Sequence, residues 1–573
     1  MLRVQIAAQI ALAGVLAVGS ASAASLGQSL VEAAHGDDLP AVAALIEQGA
    51  NVDAVAGDGS TALAWAAIRG NSAVAELLLA GGADPDLANA LGISPVSLAI
   101  ENGAPDLAKL LLRHGADPNV ERENGETPLM TAARLGQVDL MRLLLEGGAD
   151  PNAREKRFGQ TTLMWAGGNP EAVRLLLDQG ADVQAETRSW DVEYTVYIPT
   201  SFTLGKTGIP WNWDGDYRSK RGGQNAAFFA ARKRDLTSVR MLLDAGIDVN
   251  AKAADGTSLL LAALYNWIPL DGDFQPGQGA PARAGSSQKF WPNLDMAHIL
   301  LDRGVSATAA DTAGYTPLHA ASLAVAWVAR QRDKRSDGVY RTLPALLTLD
   351  SPPNPPPFDR QGALEMVRRL LDLGADPNRQ TKYPTPGPDG DVRINPAVPG
   401  STALHIAANS GSLELVRMLL DAGANPNLRR YDGHTPFSVA VVAVDMPVVE
   451  ELIGRGADLQ ARYDPHDRYP DPVKAISIPR QGQSITHIAA GNRTPNVIEY
   501  LHSKGAPVDW TNAQGETPFD LADHQERLQE ALDRQRTDGD PERLSKVVRK
   551  TDTTDAIRKL LDARPREAGT DGP

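Results

Sequence analysis

Residues 125–152 read GETPLMTAARLGQVDLMRLLLEGGADPN, and this stretch sets the fold. Thr127 can cap the free amide groups at a helix start. Pro128 takes the first helical position, where a missing N–H costs nothing. Ala132 and Ala133 let a neighbouring helix come close. Val138 to Leu145 then carries apolar residues at helical spacing. Gly148 offers the left-handed conformation that stops this second helix, and Asp150-Pro151-Asn152 turns the chain onward.

The same phrases recur along the chain, and a fixed period is the mark of a repeat architecture. The helix-stopping glycine returns at Gly49, Gly82, Gly115, Gly148, Gly180, Gly246, Gly304, Gly374, Gly423, Gly456 and Gly505, with early spacings of 33, 33, 33 and 32 residues. The entry phrase returns as Gly314-Tyr315-Thr316-Pro317-Leu318-His319 and Gly433-His434-Thr435-Pro436-Phe437, and Thr517-Pro518 repeats its cap. On these phrases the chain resembles ankyrin repeats, of an exported bacterial type with long insertions. The resemblance implies an all-α solenoid of about twelve helix-turn-helix units with β-turn fingers. It implies a concave side, lined by fingers and first helices, as the usual binding surface. It also implies that His319, His405 and His487, in the fourth place of the Thr-Pro-Leu-His phrase, help bond one finger to another.

Working outward, the N-terminus reads as a secretory signal over 1–23. Arg3 supplies the positive start, Ile6 to Val18 is apolar and uncharged, and Ala21-Ser22-Ala23 is a small-x-small cleavage site. The apolar run is short for a bilayer span, which needs about 20 residues. The expectation is a periplasmic or secreted protein with no membrane insertion after cleavage. The chain has no Cys, so its stability must come from burial between stacked units. Its formal net charge of −15 argues against sequence-independent nucleic-acid binding, which needs many cations to meet phosphates.

Repeats occupy 24–185 and 223–515, and a capping repeat at 516–563 precedes a tail at 564–573. The cap's first helix is expected to be long and charged from His524 to Arg536. The entry glycines expose the departures from period: 64 residues separate Gly159 from Gly223, 58 separate Gly256 from Gly314, 86 separate Gly314 from Gly400, and 49 separate Gly433 from Gly482. The excess falls at 186–222, 267–293, 324–362, 380–399 and 462–481. The first and the last two of these extend β-turn fingers. The other two lie between the helices of one unit, with the start of 324–362 lengthening the first helix through Val325-Ala326-Trp327-Val328.

These five segments hold 17 of the 29 aromatic residues in 143 of 573 positions, whereas disordered linkers are poor in aromatics. The finger 186–222 is the richest, with Trp190, Tyr194, Tyr197, Phe202, Trp211, Trp213 and Tyr217, and it adds the basic Arg218, Lys220 and Arg221. Val192 to Ile198 alternates as a strand does, which predicts a hairpin. The rings either pack the insertion onto the solenoid or anchor a partner, since Trp, Tyr and Arg dominate interface hot spots. Asp350 to Pro357 reads as a stiff polyproline spacer.

Signs of chemistry are few. No Gly-x-Ser-x-Gly elbow, phosphate loop or His pair for zinc is present. Asp214-Gly215-Asp216 and Asp271-Gly272-Asp273 read as turns. His466 is the one histidine in an insertion. The function expected is a scaffold or accessory binding subunit of the cell envelope, monomeric and without cofactor, that holds a protein partner whose identity the sequence does not give. A glycan or cell-wall ligand-binding protein and a cryptic hydrolase stand as alternatives.

Overall fold

In a computed structural model of the chain, Thr127 lies in extended backbone and its Oγ1 accepts from the Met130 N–H at 3.4 Å. Pro128 opens the helix, which buries Leu129, Met130, Ala132 and Ala133. The second helix buries Leu140, Met141 and Leu144. At its end the Gly148 N–H donates to the Leu145 carbonyl at 3.1 Å and the Ala149 N–H to the Leu144 carbonyl at 2.9 Å. This crossed pair is the Schellman ending, and it needs a left-handed residue, which Gly148 provides at φ 92°. A Cβ on Gly148 would meet nothing within 4 Å, so φ alone selects glycine there. Gly125 has a second reason: a Cβ on it would lie 2.8 Å from the Lys156 nitrogen, because the next finger crosses directly over it.

The structure describes residues 25–197, 214–264, 267–268, 289–290, 292–333, 359–382, 400–430, 433–462, 482–492, 494–524, 527 and 552–562. The expected signal 1–23, the polyproline segment, the helix from His524 to Arg536 and the tail 564–573 therefore lie essentially outside the described residues. The chain divides into two compact units, Met1–Trp190 with Gly222–Ala254, and Asp191–Arg221 with Asp255–Pro573.

In the first unit, short helices follow in pairs: α1 (25–35) and α2 (Leu39–Glu47), α3 (Ala62–Arg69) and α4 (Ser72–Ala80), α5 (Pro95–Glu101) and α6 (Pro105–Arg113), α7 (Pro128–Arg134) and α8 (Val138–Glu146), α9 (Thr162–Trp165) and α10 (Pro170–Asp178), α11 (Ala226–Arg232) and α12 (Leu236–Asp244). The core runs between pairs through fully buried residues such as Leu78, Leu107, Leu111 and Leu144. The 32-residue spacing from Gly148 to Gly180 hides two changes. Gly148 to Gly159 is 11 residues where Gly115 to Gly125 is 10, and Gly159 to Gly180 is 21 where Gly125 to Gly148 is 23. The finger gains a residue, and α9 shrinks to four residues. Helix α11 closes onto the shortened unit, so that a Cβ on Gly167 would lie 2.9 Å from the Ala230 nitrogen.

The second unit continues the pattern with α13 (Leu259–Leu264) and α14 (Leu294–Asp302), α15 (Pro317–Asp333) and α16 (Arg360–Asp372), α17 (Ala403–Ser410) and α18 (Leu413–Asp421), α19 (Pro436–Ala443) and α20 (Met446–Gly454), α21 (Ile485–Gly491) and α22 (Pro495–Ser503), then α23 (518–524) and α24 (Asp552–Asp562). Helix α15 spans 17 residues. The segment assigned to insertion 324–362 needs trimming: Asp359 caps α16 by accepting from the Gly362 N–H at 2.8 Å, so residues 360–362 are helix. Asn293 likewise caps α14, with Oδ1 accepting from the Met296 N–H at 3.1 Å, and so belongs to the helix rather than to insertion 267–293. Two short hairpins supply the strands among the described residues. β1 (Trp190–Tyr197) pairs with β2 (Asp214–Arg221), and β3 (Trp267–Ile268) pairs antiparallel with β4 (Lys289–Phe290), setting Trp267 opposite Phe290.

Candidate partner-binding surface

The fingers are braced to one another at repeated positions. In four of the turns the closing residue is an asparagine that bonds forward: Asn152 donates through Nδ2 to the Gly180 carbonyl at 3.1 Å and accepts through Oδ1 from the Asp182 N–H at 2.6 Å. Asn119, Asn378 and Asn427 do the same to Gly148 and Asp150, to Gly423 and Asn425, and to Gly456 and Asp458. From sequence alone, Asn152 has only a turning role. An amide side chain can donate and accept at once, and Gln184 does so with Gly246 and Asp248, whereas Asp53 and Asp86 at the same position accept from the Asp84 and Asp117 N–H groups.

Histidine forms a second brace. His319 Nδ1 accepts from the Thr316 N–H at 3.3 Å, which leaves the proton on Nε2 to donate to the Ser401 carbonyl at 3.2 Å. His405 reaches the His434 carbonyl at 3.1 Å and His487 the Glu516 carbonyl at 2.9 Å, in the same orientation. Burial pushes His319 down to about 4 and lowers His487 as well, so the bonding form is the neutral one. Asp311, half-buried, moves the other way, up to about 7, through burial and the nearby charge of Asp255.

In two of the lengthened fingers, 186–222 and 380–399, a threonine secures the root. Thr187 donates its N–H to the Gln224 carbonyl at 3.0 Å, accepts from the Gly223 N–H at 3.2 Å, and takes the Gln224 N–H on Oγ1 at 3.0 Å. Thr381 repeats all three bonds with Ser401 and Gly400, at 3.0, 2.7 and 3.1 Å. A long donor lies beside or near these roots. Arg154 bonds the Gly159 and Glu186 carbonyls, Gln380 those of Gly400 and Arg429, and Arg462 those of Gly482 and Thr511. Residues at the edges of 186–222, 380–399 and 462–481 are thus part of the finger roots.

The sequence-predicted site residues fall in three groups. Trp190, Tyr194 and Tyr197 lie on β1, and Tyr217, Arg218, Lys220 and Arg221 on β2, the strand that pairs with it. Phe202, Trp211 and Trp213 lie outside the described residues. Trp190 is 38% exposed and rests on Phe158, with ring centroids 4.9 Å apart. Lys220 is exposed and Arg221 half-buried.

Phe158 was not anticipated, and neither were its neighbours. Its loop is tied by Glu155, whose buried carboxylate accepts from the N–H groups of Arg157, Phe158 and Gln160 at 2.7, 2.6 and 3.0 Å. Arg157 lies over the Phe158 ring at 4.9 Å. Arg188 donates to the Lys156 carbonyl at 2.7 Å. The signal was present in the extra residue between Gly148 and Gly159, which the compensating loss in α9 concealed.

Among the described residues, no group of three or more His, Asp or Glu is placed to hold a metal ion, and no helix is long and apolar enough to cross a membrane. A family model described as ankyrin repeats, three copies, matches residues 27–89, 96–187 and 360–463. No curated protein matches the chain.

Proposed function

We propose, because this chain is an ankyrin-repeat protein, that it serves as an accessory binding subunit of the cell envelope and holds a protein partner on the side formed by its fingers and first helices. Ankyrin repeats are in general protein–protein interaction modules, typically without catalysis. The cell-envelope setting rests on the signal-like segment 1–23, and a non-catalytic role rests on the family together with the absence of a recognisable reaction motif. Trp190, Tyr194, Tyr197, Phe202, Trp211, Trp213, Tyr217, Arg218, Lys220 and Arg221 are the proposed contacts.

The observation that most supports this reading is the clamped root of the 186–222 finger. Binding costs less when the contacting element is already ordered. The Thr187 bonds to Gln224 and Gly223 and the Arg154 bond to Glu186 fix the base of the 186–222 finger before any partner arrives.

The test is affinity capture from the native envelope fraction. The full chain is compared with a variant in which 189–221 is replaced by Asn-Gly, a pair suited to a tight hairpin turn, so that Thr187 and Gly222 keep the root. A defined protein captured by the parent and lost by the excised variant is the expected result. Capture unaffected by excision would place the contacts elsewhere, and no capture by either folded protein would favour a glycan ligand.

A further inference from the structure

Arg134 and Arg232 end the first helices of two units, α7 and α11, and each bonds a residue eight places before it. Arg134 Nη2 reaches the Glu126 carboxylate at 3.5 Å. Arg232 Nη2 reaches the Gln224 amide oxygen. The geometry repeats, but the charge is met in one unit and not in the other. Arg232 also lies over the Phe229 ring at 4.6 Å, and its Nε and Nη1 have no acceptor among the described residues. No nearby carboxylate meets it. Asp235 caps α12, accepting from the Thr237 and Ser238 N–H groups at 3.1 Å each. Glu186, bridged to Asn225 across the finger root, makes no ion pair with Arg232. The preceding unit presents Gly167 and Gly168 to α11. A Cβ on the first would lie 2.9 Å from the Ala230 nitrogen, and one on the second 3.0 Å from the Lys233 Cγ, so these two positions offer no side chain and no carboxylate.

Arg232 is exposed, so a ligand can reach it. The protein around it nevertheless pushes its pKa down to about 10, with no carboxylate holding it up. The two coexist where a group is open to solvent on one side and walled by protein on the other. The guanidinium stays charged at neutral pH and bears desolvation without an ion-pair partner, a cost that an arriving carboxylate offsets. Held by an amide and a ring, it is already oriented for a charge-assisted bond. Pairing, not net charge, selects the ligand. We infer that Arg232 is a docking position for a side-chain carboxylate, Asp or Glu, of the protein held against the fingers and first helices. A partner lying across several units meets such a position with a side chain, not with a chain end. This inference deepens the binding-subunit reading and rests on it.

Gln224→Glu is the discriminating change. It places beside Arg232 the carboxylate that Arg134 already has in Glu126, so the position is satisfied from within. Melting of the full chain should hold or rise, whereas capture of the partner from the envelope fraction should fall about tenfold or more. Arg232→Gln should lose capture to a similar extent. Arg134→Gln, the same loss of charge from a paired arginine, should leave it near the parent level. Amidated Glu-Gly and Gln-Gly repeat peptides of equal length, rhodamine-labelled and followed by anisotropy at low salt, are the defined probes. The parent should prefer the Glu-Gly peptide, and Gln224→Glu and Arg232→Gln should each lose most of that preference. No preference in the parent, or one that survives in both folded variants, would overturn the assignment. Binding of a Gln-Gly peptide with a free C-terminal carboxylate, lost in both variants, would replace the side chain with a chain end. If all variants capture the partner as the parent does, the Arg232 assignment fails and the binding-subunit reading stands. If the parent captures no protein while the peptide preference depends on Arg232, the carboxylate position stands and the binding-subunit reading fails instead.

Discussion

His319 shows how much one side chain contributes in a stack without disulfides. It satisfies the Thr316 N–H within its own unit and the Ser401 carbonyl of the next, both in buried surroundings. His319→Ala should therefore cost about 2–4 kcal/mol, through a cavity and two unmet polar groups. Partner binding should persist where the variant remains folded, and unchanged melting with lost binding would contradict this. The pH dependence has a definite sign. The folded value, about 4, lies below the ordinary 6.5, so the unfolded chain binds the proton more readily between these limits. Stability is therefore lost as pH falls from 6.5 toward 4, by roughly 3 kcal/mol from this residue. Asp311 opposes it. Its carboxyl titrates near 7 when folded rather than 3.8, so its contribution is present below 3.8 and is lost as pH rises through 7. Asn89 and Asn512 stand at the corresponding finger position and accept the same backbone bond that Asp311 takes from the Tyr315 N–H at 2.8 Å. Asp311→Asn keeps that bond and removes the charge facing Asp255. It should raise stability by about 1–3 kcal/mol at pH 8 and by little at pH 4, which denaturant titrations at the two pH values would check. An equal gain at both would show that the burdened charge is not the cause.

Among the elements, the helices were the most legible part of the sequence, because their caps and stops act locally. Thr127 with Pro128, and Gly148 at its positive φ, behave as their residue types require. The fingers were less legible. Whether Asn152 merely turns the chain or bonds the next finger depends on what lies about 30 residues away, and no local pattern encodes that distance. The root clamps had a local signal, since Thr187 and Thr381 each stand seven residues after a helix-stopping glycine, between Glu or Gln and Arg or Lys, but their bonding partners lie across 37 and 20 residues, which that signal does not encode. Of the candidate site, the strand alternation from Val192 onward was readable, whereas the Phe158 tip was masked by a compensated period. The clamp makes a prediction about its element. Thr381→Val preserves shape but leaves the buried Ser401 N–H without its Oγ1 acceptor, at a cost of about 1–3 kcal/mol. Hydrogen exchange should quicken at Ser401 and Gly400 first. Exchange that stays protected there would show that the backbone pairing alone holds the root.

At the scale of the molecule, stacked repeats draw their stability from neighbours, so damage should spread locally and not through the whole chain. Leu144 in α8 and Leu419 in α18 provide the comparison. Each stands four residues before its helix-stopping glycine and is fully buried, one in each compact unit. Each Leu→Ala change should cost about 2–5 kcal/mol. A single melting temperature is a poor readout for a chain of several cooperative parts, so amide exchange mapped by peptide is the better measurement. Leu144→Ala should accelerate exchange within 25–190 and 222–254, and Leu419→Ala within 255–562. The double variant should lose the sum of the two within about 0.5 kcal/mol, as sites without shared partners do. Acceleration in both units from either single change would instead mean that the chain opens as one cooperative body. The finger would then report damage anywhere along the array, and excision of 189–221 could disturb binding through loss of order in remote repeats, not through loss of contact.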